Sequence, residues 1–333
     1  MIKSKVAVIT GGNTGIGLAV AKGLLQANPS IRLCLACRNL GKAKSAETEL
    51  RQIEANADIS IVQLDTSSPA SVLKASSELK EKFKHIDYLY CNAGIMPEPS
   101  LDVSAFFKGL FSTRVVHMFA TGDGILVVRD STTPEGFMKT FSTNVFGHHI
   151  LVDQLQEHLG GPDGDSQIMW TSSSNAKKEA FSLSDIQHAN GLEPYAASKY
   201  ATDLLSLALN DKHNKKGIYS HSTCPGLVMT NLTNNILPSW FWKILLPILL
   251  LLRLFTSSMS VTTENGAHAL LWLSQQNPVS LDPMARFSSR TTFFGNCYTE
   301  PVKMKITRED SQDLFRQLEG LKKNALEDLS SSS

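Results

Sequence analysis

The feature that most constrains the fold is a glycine-rich turn that follows a short apolar segment near the start of the chain. Residues 6–10 have the length and composition of a buried strand, and residues 10–17 (TGGNTGIG) lead directly into a helix-compatible run. Glycines let a backbone approach a pyrophosphate closely, and the first turn of the following helix offers N–H groups and the positive end of a dipole. The turn therefore predicts a dinucleotide site, with Gly-x-x-x-Gly-x-Gly spacing in place of the common Gly-x-Gly-x-x-Gly.

Six apolar segments of strand length alternate with segments long enough for helices. They are residues 6–10, 31–37, 59–64, 88–91, 168–171 and 218–224. Such alternation predicts βαβ units in an α/β fold, a single doubly wound parallel sheet (a Rossmann fold) with helices on both faces. The chain of 333 residues is long enough for one large domain of this kind, and no internal repeat divides it.

Two apolar segments interrupt this alternation. Residues 96–133, after the fourth strand, replace a short connection by an insertion rich in phenylalanine, which favours an apolar ligand. Residues 236–255, after the sixth strand, would measure about 30 Å as a helix, the thickness of a hydrocarbon core. Because this stretch contains Lys243, Pro247 and Arg253 and precedes the end of the sheet, we expect membrane contact without a firm topology. An interfacial helix, a single crossing and a helix over the substrate pocket are the alternatives.

Composition and the chain ends bear on the function class, the cellular compartment and the domain organisation. The 32 Lys plus Arg against 31 Asp plus Glu exclude a strongly basic nucleic-acid binder, and five scattered cysteines favour a reducing compartment over a disulfide framework. No His or Cys spacing indicates a metal site. Leucines at helical spacing predict an amphipathic helix over residues 311–329, after a main domain of residues 1–310 and before a disordered tail of residues 330–333.

The residue after the second strand bears on which dinucleotide binds. An enzyme that uses NAD normally places an acidic residue there, against the ribose 2′-hydroxyl, whereas this chain has Arg38. A guanidinium pairs well with a 2′-phosphate, so NADPH/NADP is the predicted cofactor. Asp65, after the third strand, is expected to reach the adenine, and Asn92 and Gly94 follow the fourth strand at the same edge of the sheet.

A tyrosine and a lysine at helical spacing provide the predicted acid–base chemistry. Tyr195 and Lys199 are four residues apart in a helix-compatible run and share one helical face. A neighbouring ammonium and a nicotinamide cation favour the phenolate, so we expect a lowered pKa for Tyr195. Tyr195 is therefore predicted to give a proton to a carbonyl oxygen as hydride reaches the carbon.

Other polar residues follow the predicted strands. Ser173 follows the fifth strand, where its hydroxyl can stabilise a developing alkoxide. Asn144 is predicted to hold a water that links Lys199 to bulk solvent, with a backbone-bonding role in a helix as the alternative. Pro225 and Gly226 follow the sixth strand in a turn that is expected to pack against the nicotinamide.

These motifs, in this order, resemble the short-chain dehydrogenases/reductases over residues 5 to about 230. The resemblance implies an NADP-dependent oxidoreductase. In many members the active serine lies about thirteen residues before the tyrosine, which fits Ser182, whereas the strand end favours Ser173, 22 residues before Tyr195. Both serines are therefore candidates for contact with the substrate, and Ser173 is preferred.

Longer blocks, such as residues 193–203, are similar to the family members that reduce steroid and sterol ketones, and that similarity includes residues 236–255. It implies reduction of 3-keto sterol intermediates of cholesterol biosynthesis and of estrone to estradiol. It also implies a place at the endoplasmic reticulum membrane with a cytosolic catalytic domain, and a homodimer is compatible with it. The alternatives are a reductase of retinoids or other lipid carbonyls and an NADPH-binding membrane scaffold without activity.

The predicted site residues form two sets, one catalytic and one that binds the cofactor. The catalytic candidates are Tyr195, Lys199, Ser173 and Asn144, with Ser173 and Ser182 as the substrate contacts. The predicted cofactor-binding residues are Thr10, Gly11, Gly12, Asn13, Thr14, Gly15, Ile16, Gly17, Arg38, Asp65, Asn92, Gly94, Tyr195, Lys199, Pro225 and Gly226.

Overall fold

The structure is a computed structural model. It describes residues 4–97, 100–101, 126–127, 130–228 and 257–331. The predicted insertion of residues 96–133 is thus described only in part, and the apolar stretch of residues 236–255 lies outside the described residues. Within the described ranges, no helix combines the length and apolar character that crossing a bilayer requires.

Eight strands form one sheet at the centre of the described fold. In chain order they are β1 (Val6–Thr10), β2 (Arg32–Cys37), β3 (Asp58–Gln63), β4 (Tyr88–Cys91), β7 (Ser166–Thr171), β8 (Ile218–Cys224), β9 (Ala285–Thr291) and β10 (Cys297–Lys303). The spatial order is β10-β9-β8-β7-β4-β1-β2-β3, parallel except for the β9–β10 hairpin. A separate two-stranded ladder pairs β5 (Ser100–Leu101) with β6 (Leu126–Val127).

Seven helices accompany the described strands. They are α1 (Gly15–Ala27), α2 (Leu40–Ile53), α3 (Pro69–Lys82), α4, α5 (Pro194–His213), α6 (Thr263–Ser274) and α7 (Arg308–Ser331). Helix α4 is composite, with α-helix over Lys139–Phe141, π-helix over Ser142–Phe146 and α-helix over Gly147–Gln154. Short 3₁₀ turns occur at Gln156–His158, Gly161–Asp163, Lys178–Ala180, Asn214–Lys216 and Pro278–Ser280.

Both faces of the sheet are covered, which explains why β1, β2 and β4 are apolar runs rather than alternating strands. Ile9 of β1 packs in a buried cluster with Leu270 of α6, whereas its neighbour Val8 points to the opposite cluster with Phe146 of α4 and Leu204 of α5. The doubly wound parallel sheet predicted from the sequence is therefore confirmed.

The strand order reverses at β1, which lies between β2 and β4. Connections leave this point in opposite directions, so a crevice opens between the carboxyl ends of β1 and β4. The glycine-rich turn of residues 10–17 and the segment that begins at Asn92 both start there. The fold thus brings two of the predicted motifs together.

The later part of the sheet was not assigned from the sequence. Strand β9 (ARFSSRT) has two apolar residues among polar ones and lacks the continuous apolar run of β1 and β2, and β10 is largely exposed. At the other end of the described chain, α7 runs over Arg308–Ser331, beyond the predicted residues 311–329 in both directions, and buries Leu314 and Leu318 in the main core.

Candidate active site

The turn between β1 and α1 is shaped by close approaches that only glycine permits. Gly11 has a φ of +65° and Gly15 a φ of +56°. A Cβ on Gly17 would lie 2.4 Å from the Gly11 carbonyl oxygen and 2.6 Å from Asn92 Nδ2. Thr14 precedes α1 without a side-chain capping hydrogen bond, so the N–H groups of the first turn are open to an anion.

Thr10 joins this turn to the end of β4. Its buried hydroxyl accepts hydrogen bonds from the backbone N–H groups of Asn92 and Ala93, both at 2.9 Å. The Asn92 side-chain amide in turn donates to the Thr10 carbonyl oxygen at 3.1 Å. The two strand ends that border the crevice are therefore held in one geometry.

An exposed cation lies at the end of β2. The Arg38 side chain is 67% exposed, and its Nη1 lies 3.8 Å from Asp65 Oδ2. Asp65 is already engaged, since its Oδ1 accepts hydrogen bonds from the N–H and the hydroxyl of Ser67. The guanidinium therefore has open N–H groups at the position where a ribose 2′-substituent is expected.

Helix α5 and the end of β7 bring a serine, a tyrosine and a lysine together. The Ser173 side chain lies near enough to the Tyr195 phenol to act on its pKa. Lys199 Nζ lies 5.5 Å from the centre of the Tyr195 ring and donates to the Thr171 carbonyl oxygen at 2.7 Å. Ser182, by contrast, is exposed, and its hydroxyl pairs with that of Ser184 at 2.8 Å.

The expected lowering of the pKa of Tyr195 is not observed. Burial raises the pKa of Tyr195 to about 12, with the hydrogen bond to Ser173 acting in the opposite direction. The expectation rested on two neighbouring cations, the ammonium and the nicotinamide, whereas desolvation of the phenol has the larger effect and the ammonium is directed at the Thr171 carbonyl. At neutral pH the phenol is consequently protonated, which is the form that can donate a proton to a ketone.

The pKa of Lys199 lies close to physiological pH. Burial lowers the pKa of Lys199 to about 8, while Asp203 and Cys224 act to raise it. An amine with that pKa is mostly an ammonium at pH 7 and loses its proton just above physiological pH. Lys199 is thus the group of the site whose charge changes within an accessible pH range.

Asn144 connects the segment after β4 to helix α5 through three hydrogen bonds. Its Oδ1 accepts a hydrogen bond from the Ile95 N–H at 2.8 Å, and its Nδ2 donates to the Ile95 carbonyl at 3.0 Å and to the Ser198 hydroxyl at 2.9 Å. It lies in the π-helical part of α4, an irregularity that often marks functional sites. A Cβ on Gly94 would lie 3.2 Å from Asn144 Oδ1 and 3.5 Å from Lys199 Nζ. The absence of a side chain at Gly94 therefore leaves space beside these two groups.

The turn after β8 carries the last of the predicted site residues. Gly226, which follows Pro225, has a φ of +72°, and a Cβ there would lie 2.6 Å from the Ser258 carbonyl oxygen. Leu227 donates its N–H to that same carbonyl at 2.9 Å. The turn is thereby anchored at the carboxyl end of β8, next to the strand that presents Ser173.

Three groups at the site were missed from the sequence. The Thr171 carbonyl holds Lys199, the Ser198 hydroxyl holds Asn144, and the buried Asp203 lies one turn beyond Lys199. Helical spacing from Lys199 was a signal that would have found Asp203. A backbone carbonyl such as that of Thr171 leaves no mark in a sequence.

A parallel sheet with a glycine-rich turn at its reversal point, and with serine, tyrosine and lysine side chains at the same edge, defines a nucleotide-dependent oxidoreductase. The sequence model of the short chain dehydrogenase family matches residues 5–239, and the chain belongs to this family. The resemblance drawn from the motifs is thus confirmed.

Two curated relatives match almost the whole chain. The rat 3-keto-steroid reductase/17-beta-hydroxysteroid dehydrogenase 7 is 50% identical over 319 residues, which cover 96% of both chains. The human protein of the same name is 47% identical over 320 residues, which cover 96% of this chain and 94% of its own. A solved NADP complex of Pseudomonas aeruginosa RhlG superimposes with a TM-score of 0.59 at 19% identity, covering 85% of this chain and 93% of that one, and supports the fold.

Proposed function

We propose that this chain reduces a steroid or sterol ketone to the alcohol with NADPH. The observation that carries the proposal is the placement of Ser173 and Lys199 beside Tyr195 at the carboxyl edge of the sheet. The rat and human relatives, named as 3-keto-steroid reductases, supply the substrate class.

The residues present fit a phosphorylated dinucleotide. A side chain at Gly17 would fill the cradle at the start of α1, and that helix end has no side-chain cap against its N–H groups. We assign the pyrophosphate to residues 10–17, the 2′-phosphate to Arg38, the adenine to Asp65 and the nicotinamide end to Asn92, Gly94, Pro225 and Gly226. When bound, NADPH supplies the hydride.

The side chains of the site are assigned the following steps. Ser173 and Tyr195 donate hydrogen bonds to the ketone oxygen, and Tyr195 transfers its proton to the alkoxide that develops there. Lys199 stabilises the negative charge left on the phenol oxygen. Asn144 fixes the backbone of Ile95 beside Lys199, and we assign it the resupply of protons to Lys199 through an ordered water.

A substrate panel tests the proposed function. Purified full-length chain is given NADPH with a set of 3-keto sterols, estrone and retinal, and NADPH oxidation and alcohol product are both measured. We expect turnover of the sterol or steroid ketones. Turnover of retinal alone would favour the retinoid reductase, and NADPH binding without any turnover would favour the scaffold.

Replacing Arg38 by aspartate tests the choice of cofactor. The lost charge-assisted contact and the new repulsion should raise the KM for NADPH by about 10-fold to 100-fold, because such hydrogen bonds contribute about 1.5–3 kcal/mol. The KM for NADH should change little, since its ribose carries no phosphate. Lys44→Asp, a charge reversal at an exposed position of α2, is the matched control. Equal effects of Arg38→Asp on both cofactors would refute the assignment.

Contact with the endoplasmic reticulum membrane through residues 236–255, with the catalytic domain in the cytosol, is also proposed. At the tip of the β9–β10 hairpin Phe293 is 48% and Phe294 is 87% exposed. The hairpin begins beside the point where the described chain resumes, since Thr291 donates its N–H to the Ser257 carbonyl at 2.9 Å. Exposed aromatic rings suit a membrane interface.

Carbonate extraction tests the membrane proposal. We expect the full chain to stay in the membrane pellet after extraction and a variant without residues 238–255 to be released. A full-length chain that remains freely soluble would refute the proposed membrane contact.

A further inference from the structure

A buried ion pair lies directly behind the candidate active site. Asp203 of α5 is 2% exposed, and its Oδ2 lies 2.9 Å from Arg286 Nη1 of β9. Burial raises the pKa of the Asp203 carboxyl, and the guanidinium and the nearby hydroxyls of Ser172 and Ser222 oppose that rise. A buried carboxylate is costly unless it is paired in this way. The pairing with Arg286 is therefore the contact that favours a negative charge on Asp203 inside the protein.

The position of this charge connects it to Lys199. Tyr195, Lys199 and Asp203 follow one another at intervals of four residues on one face of α5, where such neighbours are about 5–6 Å apart. Ser172 joins the same group, because its hydroxyl donates to the Lys199 carbonyl at 3.3 Å and its chain neighbour is Ser173. Asp203 is thus within reach of both the lysine and the strand end that presents the serine.

The charged and titratable groups around Lys199 come from three elements. Helix α5 contributes Tyr195 and Asp203, and β8 contributes Cys224. Helix α4 contributes His148, whose pKa burial lowers to about 3, so that it is neutral at physiological pH. Tyr195 is protonated at that pH as well. Among these described groups, the ion-paired carboxylate of Asp203 is the anion that offsets the ammonium.

We propose that Asp203, held in its ionised form by Arg286, is a positioning residue that keeps Lys199 as an ammonium during ketone reduction. The inference rests on the proposed function for the role of Lys199, but the charge relation between the two side chains does not. A buried ammonium without that anion would lose its proton at lower pH, and the phenolate formed at Tyr195 would lose its stabilising cation.

The variant Asp203→Asn removes the charge and keeps the shape. We expect the basic limb of the kcat–pH profile to move about one to two pH units lower, because a unit charge one helical turn away in a medium of dielectric constant about 20 has an effect of that order. At pH 8, kcat should fall about 5-fold to 50-fold, while at pH 6 it should stay within about 3-fold. The KM for the ketone should change little.

Two further variants separate charge from structure. Arg286→Lys retains a cation for Asp203 and should keep the basic limb near its original position. In Arg286→Gln the unpaired buried carboxyl should take up a proton, so the limb should move in the same direction as in Asp203→Asn. A shift to higher pH would show that Asp203 stays ionised without Arg286 and would overturn this role of Arg286. Asp211→Asn breaks another ion pair of α5, with Arg308 at the surface, and should leave the profile unchanged. If Asp203→Asn does not fold, the Lys and Gln variants of Arg286 make the same comparison.

A measurement without turnover keeps this inference distinct from the proposed function. Trace labelling of the full chain with acetic anhydride over a pH series, read by peptide mass spectrometry, reports the pKa of Lys199 directly. We expect that pKa to be lower in Asp203→Asn than in the original chain. A folded Asp203→Asn protein with an unmoved Lys199 titration would overturn the inference, whatever ketone the enzyme reduces.

Discussion

Replacing Tyr195 by phenylalanine should lower kcat for ketone reduction by about 10³-fold, within the range that a positioned general acid contributes. Phenylalanine retains the ring but lacks the hydroxyl that donates the proton and bonds to Ser173. Because burial raises the pKa of Tyr195 to about 12, the phenol stays protonated throughout the useful pH range. Its own titration should therefore not limit activity below about pH 10.

The matched control is Tyr200→Phe on the same helix. The Tyr200 hydroxyl donates to the Lys305 carbonyl at 3.0 Å, on a side of α5 away from the crevice. We expect near-normal turnover for this variant and unchanged NADPH binding for both, measured by the fluorescence of the bound cofactor. Normal turnover by Tyr195→Phe would remove the proposed proton donor and the reaction built on it.

Replacing Ser173 by alanine should lower kcat by about 10²-fold to 10³-fold, the loss observed when one preorganised oxyanion donor is removed. The hydroxyl lies beside that of Tyr195 at the carboxyl end of β7, so both can reach one ketone oxygen. The KM for NADPH should be little affected. Steady-state kinetics with the best ketone of the panel measure both effects.

Ser182→Ala is the natural comparison, because Ser182 is the serine that the spacing common in the family would select. Its hydroxyl pairs with Ser184 in an exposed turn, so we expect turnover within about 2-fold of normal. A loss of activity in Ser182→Ala together with normal activity in Ser173→Ala would reverse the assignment.

Neighbouring residues of the site differ in how much of their chemistry the sequence predicts. The separation of Tyr195 and Lys199 is a local, helical one, so their common face was predictable. The direction of the pKa shift of Tyr195 was not, since it depends on how completely the rest of the fold removes water from the phenol. Which charged residues are neighbours on a helix can be inferred from their spacing, whereas the burial of a side chain depends on the packing of the whole domain.

The sequence alone determined those features that depend on interactions between residues near one another in the chain. The bounds of β1, β4 and β8 were predicted to the residue, most directly for β1, where an apolar run ends at a glycine-rich turn, and the nucleotide crevice follows from the chirality of βαβ units. The tertiary structure alone decided what Asn144 holds and that Asp203 pairs with Arg286, 83 residues away. These contacts join strands and helices that are distant in the chain, and only the register of the sheet and the packing of α4 and α5 bring them together.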